Sequence, residues 1–201
     1  MFRKISISVF FITILHTGFS QLQWQLSKDQ NGIKVYTAKE ASSKFKEIKV
    51  EATLEGTIQK LENILINVGK TKGWVYGTKD SYIIKKISPN EILYYSETSL
   101  PWPVSNRDIP IKMVLTPDAR NNTLKVVATG IPDAIPEKKG IVRLPYFNAT
   151  WDVKSEGKNK LNITYLLKMD PGGSVPAGVT NLFVSKGPFE TFNNLSELLK
   201  Q

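Results

Sequence analysis

Asp170-Pro171-Gly172-Gly173-Ser174-Val175-Pro176, and the series Val179, Leu182, Phe183, Phe189, Phe192, Leu195 and Leu199 that follows, decide how this chain folds. The first part reads as a sharp turn. Ser174 or a neighbour can cap a helix that holds Pro176 in its first turn, where a missing N–H costs nothing. The second part recurs at spacings of three and four, which gathers its apolar side chains on one side of a helix from about Pro176 to Lys200. Gly187-Pro188 is expected to kink that helix. It is the most apolar helix in the chain, and it needs a sheet to cover it.

The upstream sequence supplies that sheet. Ile33 to Lys39 and Phe45 to Leu54 read as strands, the second with Phe45, Ile48, Val50, Ala52 and Leu54 largely alternating with charged residues. Thr57 is an N-cap for a short amphipathic helix carrying Ile58, Leu61, Ile64, Leu65 and Val68, with Gly69 as its stop. Strands are then expected over Tyr82–Ile87, Ile92–Ser99, Ile109–Leu115, Leu124–Thr129, Ile141–Val153 (bent near Pro145) and Leu161–Met169, with turn residues about every ten positions. Helices set against one face of an antiparallel sheet make an α+β fold.

Composition excludes much chemistry. Among 201 residues there is no Cys, and His16 is the sole histidine. Cysteine nucleophiles and thiolate zinc sites are ruled out, and no metal or other cofactor is expected. His16 lies in a segment with a basic start (Arg3-Lys4), an apolar run from Ile5 to Phe19 and a small-x-small end (Gly18-Phe19-Ser20), the pattern of a cleaved secretory signal. Residues 1–20 are therefore expected to be removed on export to a periplasm or the exterior, leaving 21–201 as one domain without histidine. The formal net charge of +9 is spread along the chain without a run of like charges, which reads as a solvated surface rather than a nucleic-acid footprint. Transient attraction to anionic membrane surfaces stays open, and the chain is expected to be a monomer.

Four motifs in order now carry a resemblance. They are Trp24-Gln25-Leu26-Ser27-Lys28-Asp29-Gln30-Asn31-Gly32-Ile33-Lys34-Val35-Tyr36; Pro101-Trp102-Pro103-Val104-Ser105-Asn106-Arg107-Asp108; Gly140-Ile141-Val142-Arg143 followed by Trp151; and Asp170 to Pro176. From Trp24 to about Leu199 the chain resembles the START family, the steroidogenic acute regulatory protein-related lipid-transfer domains, and especially their phosphatidylcholine-transfer branch. The resemblance implies a helix-grip fold, in which a curved antiparallel sheet wraps around the long C-terminal helix and a hydrophobic tunnel between them holds one lipid or other hydrophobic small molecule. The helix would act as a lid. The family's usual N-terminal helix has little room here.

Two arginines are the candidate polar contacts. Arg107 would be a buried cation meeting a headgroup or an internal acid such as Glu97; alternatively, Arg107 and Asp108 brace the turn after Pro103. Arg143 falls, along one extended strand, on the same face as Ile141, Phe147, Ala149, Trp151 and Val153, a charge on an apolar face. It would hold a phosphate or carboxylate, unless the bend at Pro145 shifts the register and leaves it exposed. Tyr94, Trp102, Phe147, Trp151, Tyr165, Phe183 and Phe192 are the aromatic candidates for the tunnel wall, each with ordinary core packing as the alternative. No catalytic constellation is found. Glu47 and Glu51 sit among lysines, as on a solvated strand face. The expected function is non-catalytic carriage or sensing of a lipid. The alternative is a polyketide cyclase-like helix-grip enzyme, which would need two carboxylates, here Glu97 and Asp108, converging inside the cavity.

Overall fold

The computed structural model describes residues 22–39, 46–173, 175 and 182–201. Ten strands form one sheet: β1 (Gln25–Gln30), β2 (Ile33–Lys39), β3 (Lys46–Glu55), β4 (Thr78–Ser88), β5 (Glu91–Thr98), β6 (Arg107–Asp118), β7 (Thr123–Gly130), β8 (Val142–Arg143), β9 (Tyr146–Glu156) and β10 (Lys160–Asp170). Their order is β1-β2-β3-β10-β9-β7-β6-β5-β4, antiparallel throughout, with β8 added to β6 as a two-residue parallel pair. Alternation dictates this sheet: Ile48, Val50, Ala52 and Leu54 are buried while the residues between them are not. The sheet with its C-terminal helix is the α+β, helix-grip architecture that the resemblance implies.

Helix α1 (Ile58–Ile66) begins where the sequence places it, with Thr57 Oγ1 accepting from the Lys60 N–H at 3.3 Å. It ends at Asn67 rather than Gly69, and a 3₁₀ stretch, Val68–Gly73, continues to β4. The C-terminal helix is described from Leu182. A π-helical turn, Leu182–Lys186, passes into α2 (Gly187–Lys200) at the Gly187-Pro188 pair, where the sequence predicts a change of course. Val179, like Ser174 and Pro176, lies outside the described residues, as do the side chains of Leu182 and Phe183. Phe189, Phe192, Leu195 and Leu199 are buried.

Polar contacts pin α2 across the sheet's inner face. On one side Thr191 Oγ1 accepts from the Tyr76 N–H at 3.0 Å, and Asn194 Nδ2 donates to the Trp74 carbonyl at 3.1 Å. On the other, Asn193 Oδ1 accepts from Asn31 Nδ2, and Lys28 Nζ stands 3.4 Å from the centroid of Phe189. Gly56 shows how closely the helix end docks. Its φ is +152°, and a Cβ there would meet Leu199 Cδ2 at 3.0 Å.

Two features depart from the sequence reading. The polar segment β1 has no hydrophobic alternation; it becomes a strand because Asn31 and Gly32, both at positive φ (54° and 73°), turn it back onto β2. The single bent strand expected over Ile141–Val153 is two strands, interrupted at Leu144-Pro145, because proline cannot donate to a ladder.

The connections divide by length. At one end of the sheet the hairpins β4–β5, β6–β7 and β9–β10 close over a few residues. At the other end lie the longer links 99–106 and 131–145 and the end of β10 at Asp170. Thr98 pairs with both Thr78 and Arg107 there, so the start of β4, the end of β5 and the start of β6 meet at this end.

Candidate functional site

Between the sheet's inner face and α2 is a cavity of about 620 Å³, within the roughly 300–1,000 Å³ range of small-ligand sites. The register explains where it forms. Across the sheet, Leu167 pairs with Ala149, Ala149 with Ala128, and Ala128 with Met113, so one inward row has two alanines at its centre. The row on one side is filled by Tyr165, Trp151 and Val126. Trp151 stacks on Phe192 of α2 with centroids 5.0 Å apart, and Tyr165 lies 5.5 Å from the same ring. Small side chains in one row and interlocked aromatics in the next leave space over the alanines. Leu65 and Val68 line the cavity below α1, and Gly187, Pro188, Thr191 and Phe192 line it from α2.

Tyr94, Phe147, Trp151, Tyr165 and Phe192, five of the aromatic candidates, are on the cavity wall. Burial pushes the phenols of Tyr94 and Tyr165 well above their ordinary pKa, Tyr165 further because of Tyr94, so both are neutral hydroxyls. Trp74 is also on the wall, and its buried indole Nε1–H has no acceptor among the described residues. Nor did the sequence single out Thr71, Ser96 and Thr98, which put hydroxyl-bearing residues on the wall. The alternation of β5 could have flagged Ser96 and Thr98, since they flank Glu97 and share a face with Tyr94.

Arg107 is on the wall and only 4% exposed. Its partners are not the acids expected. Nε donates to the Pro171 carbonyl at 3.1 Å, Nη1 to Ser105 O at 2.5 Å and Nη2 to Gly172 O at 3.1 Å. Three neutral dipoles satisfy its geometry but supply no counter-charge, and desolvation lowers its pKa. Gly172 makes this arrangement feasible. Its φ is +66°, and a Cβ there would meet Val142 Cγ1 at 3.1 Å. Its N–H donates to Asp170 Oδ1 at 2.8 Å, closing the turn.

Three placements correct the sequence reading. Arg143 is buried but does not line the cavity. The break at Leu144-Pro145 detaches it from the face of Phe147 and Trp151, and β8 sets it opposite Asp108. There Nε donates to Asp108 Oδ1 at 2.7 Å and Nη2 to Oδ2 at 3.2 Å, which raises the arginine pKa further. Its remaining donors reach the carbonyls of Pro132, Ile135 and Pro136. Glu97 alternates to the face opposite Ser96 and Thr98. It accepts from Lys79 Nζ at 2.9 Å and from Asn106 Nδ2 at 2.8 Å. Burial pushes the Glu97 carboxyl up, but these donors outweigh it and hold it below its ordinary value. Trp102 is 92% exposed, because the chain turns outward between Pro101 and Pro103. Phe183 is a residue whose side chain lies outside the described ones. Among the described residues no group of His, Asp and Glu could hold a metal.

Comparison with known proteins agrees with this architecture. The chain is 28% identical over 172 residues to an uncharacterized protein of Pseudomonas aeruginosa, covering 86% of this chain and 84% of that one. It is 27% identical over 168 residues to the phosphatidylcholine transfer protein of Mus musculus, covering 82% and 78%. Among solved structures, a STAR-related lipid transfer protein from Xanthomonas axonopodis superposes with a TM-score of 0.80 at 30% identity, over 89% of this chain and 99% of that one. The family model described as START domain matches residues 14–201, and the chain belongs to that family.

Proposed function

We propose that the protein binds a lipid or other hydrophobic molecule without chemical turnover, in a tunnel between sheet and helix that the C-terminal helix closes. The observation that carries this reading is the cavity itself: apolar side chains from both layers surround it, and Arg107 is the one charged side chain on its wall with no carboxylate partner among the described residues. Each buried CH₂ of an acyl chain contributes about 0.8 kcal/mol, so an apolar lining of the right shape suffices for affinity. Arg107 takes the polar end of the ligand, a phosphate or carboxylate that supplies the missing counter-charge. The relatives' names, which speak of lipid and phosphatidylcholine transfer, support the ligand class. A cyclase-like enzyme is less well supported, because Glu97 is not among the residues that line the cavity and Asp108, which is, has its carboxylate engaged by Arg143.

Native mass spectrometry of protein purified from its own source, followed by lipid extraction, tests the reading. The expected result is one acyl lipid per chain with a phosphate or carboxylate headgroup. Recovery of a wholly uncharged lipid overturns the role of Arg107, and recovery of none overturns the carrier. We propose further that residues 1–20 direct export to the periplasm or exterior and are cleaved near Ser20, supported by Arg3-Lys4, the apolar run and the Gly18-Phe19-Ser20 end. N-terminal sequencing of the purified protein checks this, and a chain starting at Met1 refutes it.

A further inference from the structure

We propose that Tyr94 and Tyr165 form a second polar station inside the cavity, which takes a neutral oxygen, a hydroxyl or a carbonyl, carried part-way along the ligand's chain. This deepens the reading of the cavity as a lipid site and rests on it: Arg107 takes the charged end of the ligand, and the two phenols take an uncharged group. The register sets them on either side of the gap. The row with Ala149 and Ala128 at its centre continues to Met113 and Ile92. Tyr165 pairs with Trp151, two residues from Ala149, in the row on one side. Tyr94 pairs with Ile111, two residues from Met113, in the row on the other. Both side chains line the same cavity. The Tyr165 ring is held by Trp151 and Phe192, at 4.9 Å and 5.5 Å between centroids, which gives its hydroxyl a fixed place.

Neither hydroxyl has a hydrogen-bond partner among the described residues. A phenol taken out of water without a partner is destabilising, and phenylalanine would fill the same space without that cost. The two hydroxyls therefore mark an acceptor that arrives with the ligand. Burial keeps both neutral, and a charge on Tyr94 would raise Tyr165 further, so the two are within electrostatic reach of one another. Two neutral donors suit one neutral oxygen, whose two lone pairs can each accept from a phenol. Trp74, on the same wall, adds a buried indole N–H that also lacks an acceptor among the described residues. The strand sets the depth of the station. Arg107 pairs with Thr98, and Tyr94 lies four residues further along β5. At about 3.4 Å per residue that is about 14 Å, the length of about ten extended methylenes. The oxygen thus belongs near the middle of an acyl chain whose anionic end is at Arg107.

Calorimetric titration of the delipidated protein with stearate, and with hydroxystearate and ketostearate bearing their oxygen about ten carbons from the carboxylate, tests the station. The parent should bind at least one of the oxygenated acids about tenfold tighter than stearate. The acid that gains more tells whether the natural oxygen is a hydroxyl or a carbonyl. Tyr94→Phe and Tyr165→Phe should each remove most of that preference, and neither should unfold more easily in urea, since each hydroxyl has no partner in the chain to lose. Variants that lose stability but keep the preference make the hydroxyls structural and overturn the proposal. Equal affinity of the parent for all three acids also overturns it, while leaving the carrier reading in place. Failure of the parent to bind any of the three overturns the carrier reading, and the station with it.

Discussion

Replacing Arg143 by lysine should destabilise the fold and leave lipid occupancy untouched. Arg143 makes two hydrogen bonds to the Asp108 carboxylate and three to the carbonyls of Pro132, Ile135 and Pro136, with its side chain 5% and that of Asp108 1% exposed. An ammonium has three donors and no planar fork, so it keeps one contact to Asp108 and two carbonyls at most. Losing two bonds of the charged kind, each worth about 1.5–3 kcal/mol, less some relaxation, gives a loss of about 2–4 kcal/mol. That is a large fraction of the roughly 5–15 kcal/mol that holds a domain together. Arg143→Met should cost about 3–5 kcal/mol, because it strands the Asp108 carboxylate. Urea unfolding of purified variants measures these losses as shifts in midpoint at constant slope, and native mass spectrometry of the same samples reads lipid occupancy. An Arg143→Lys variant as stable as the parent but stripped of lipid would refute the reasoning, since that is the behaviour of a headgroup contact.

Ala149→Leu should fill the floor of the cavity and abolish co-purified lipid, while urea unfolding shows no more than about 1–3 kcal/mol of destabilisation, the usual limit for overpacking. Phe192→Ala should cost about 3–5 kcal/mol in the same assay, because the ring is 1% exposed and sits between Trp151 and Tyr165. Glu97 governs an acid limb: its carboxyl is held below its ordinary value of 4.5, so its contribution is complete above that pH and is lost as pH falls through the lower folded value. Glu97→Gln should therefore flatten the stability profile below about pH 4.5 while costing about 1–3 kcal/mol near neutrality.

Periodicity made most of the sheet legible. Ile48 to Leu54 alternates because one face of β3 is buried, and Leu195 and Leu199 repeat at four because one side of α2 is. Features whose cause is remote in sequence were not legible. β1 is polar and is a strand only through its pairing with β2. Pro145 is expected to bend a strand and instead interrupts it, which sets Arg143 beside Asp108 rather than on the cavity wall with Phe147. The aromatic wall could be read in part, since Tyr94, Phe147, Trp151 and Tyr165 are large apolar residues at inward positions. Trp102 could not be placed by its type, because an indole that fits an apolar wall can equally stand on an exposed turn, where this one is found. Ala128 and Ala149 carry the most information about the cavity, and no local pattern marks them. Each is unremarkable alone, and only the register that pairs them shows a gap in the inner face.

The two buried arginines separate what residue type can assign from what partners must decide. Both are at most 9% exposed, and both belong to segments that resemble family motifs, so pattern alone gives them the same role. Arg143 meets a carboxylate, and the pair is electrically closed: a ligand phosphate arriving there would compete with Asp108 and gain little. Arg107 meets three carbonyls, and no carboxylate pairs with it among the described residues. A full cation that has left water and found only dipoles is under-compensated, and the deficit is largest where the dielectric is lowest, beside an apolar cavity. An anionic group entering that cavity would therefore gain more at Arg107 than at Arg143, although the free chain gives Arg143 the larger number of hydrogen bonds. The same bonds tie Arg107 to the carbonyls of Pro171 and Gly172, so under the proposed function a headgroup at that guanidinium would compete with the turn that follows β10.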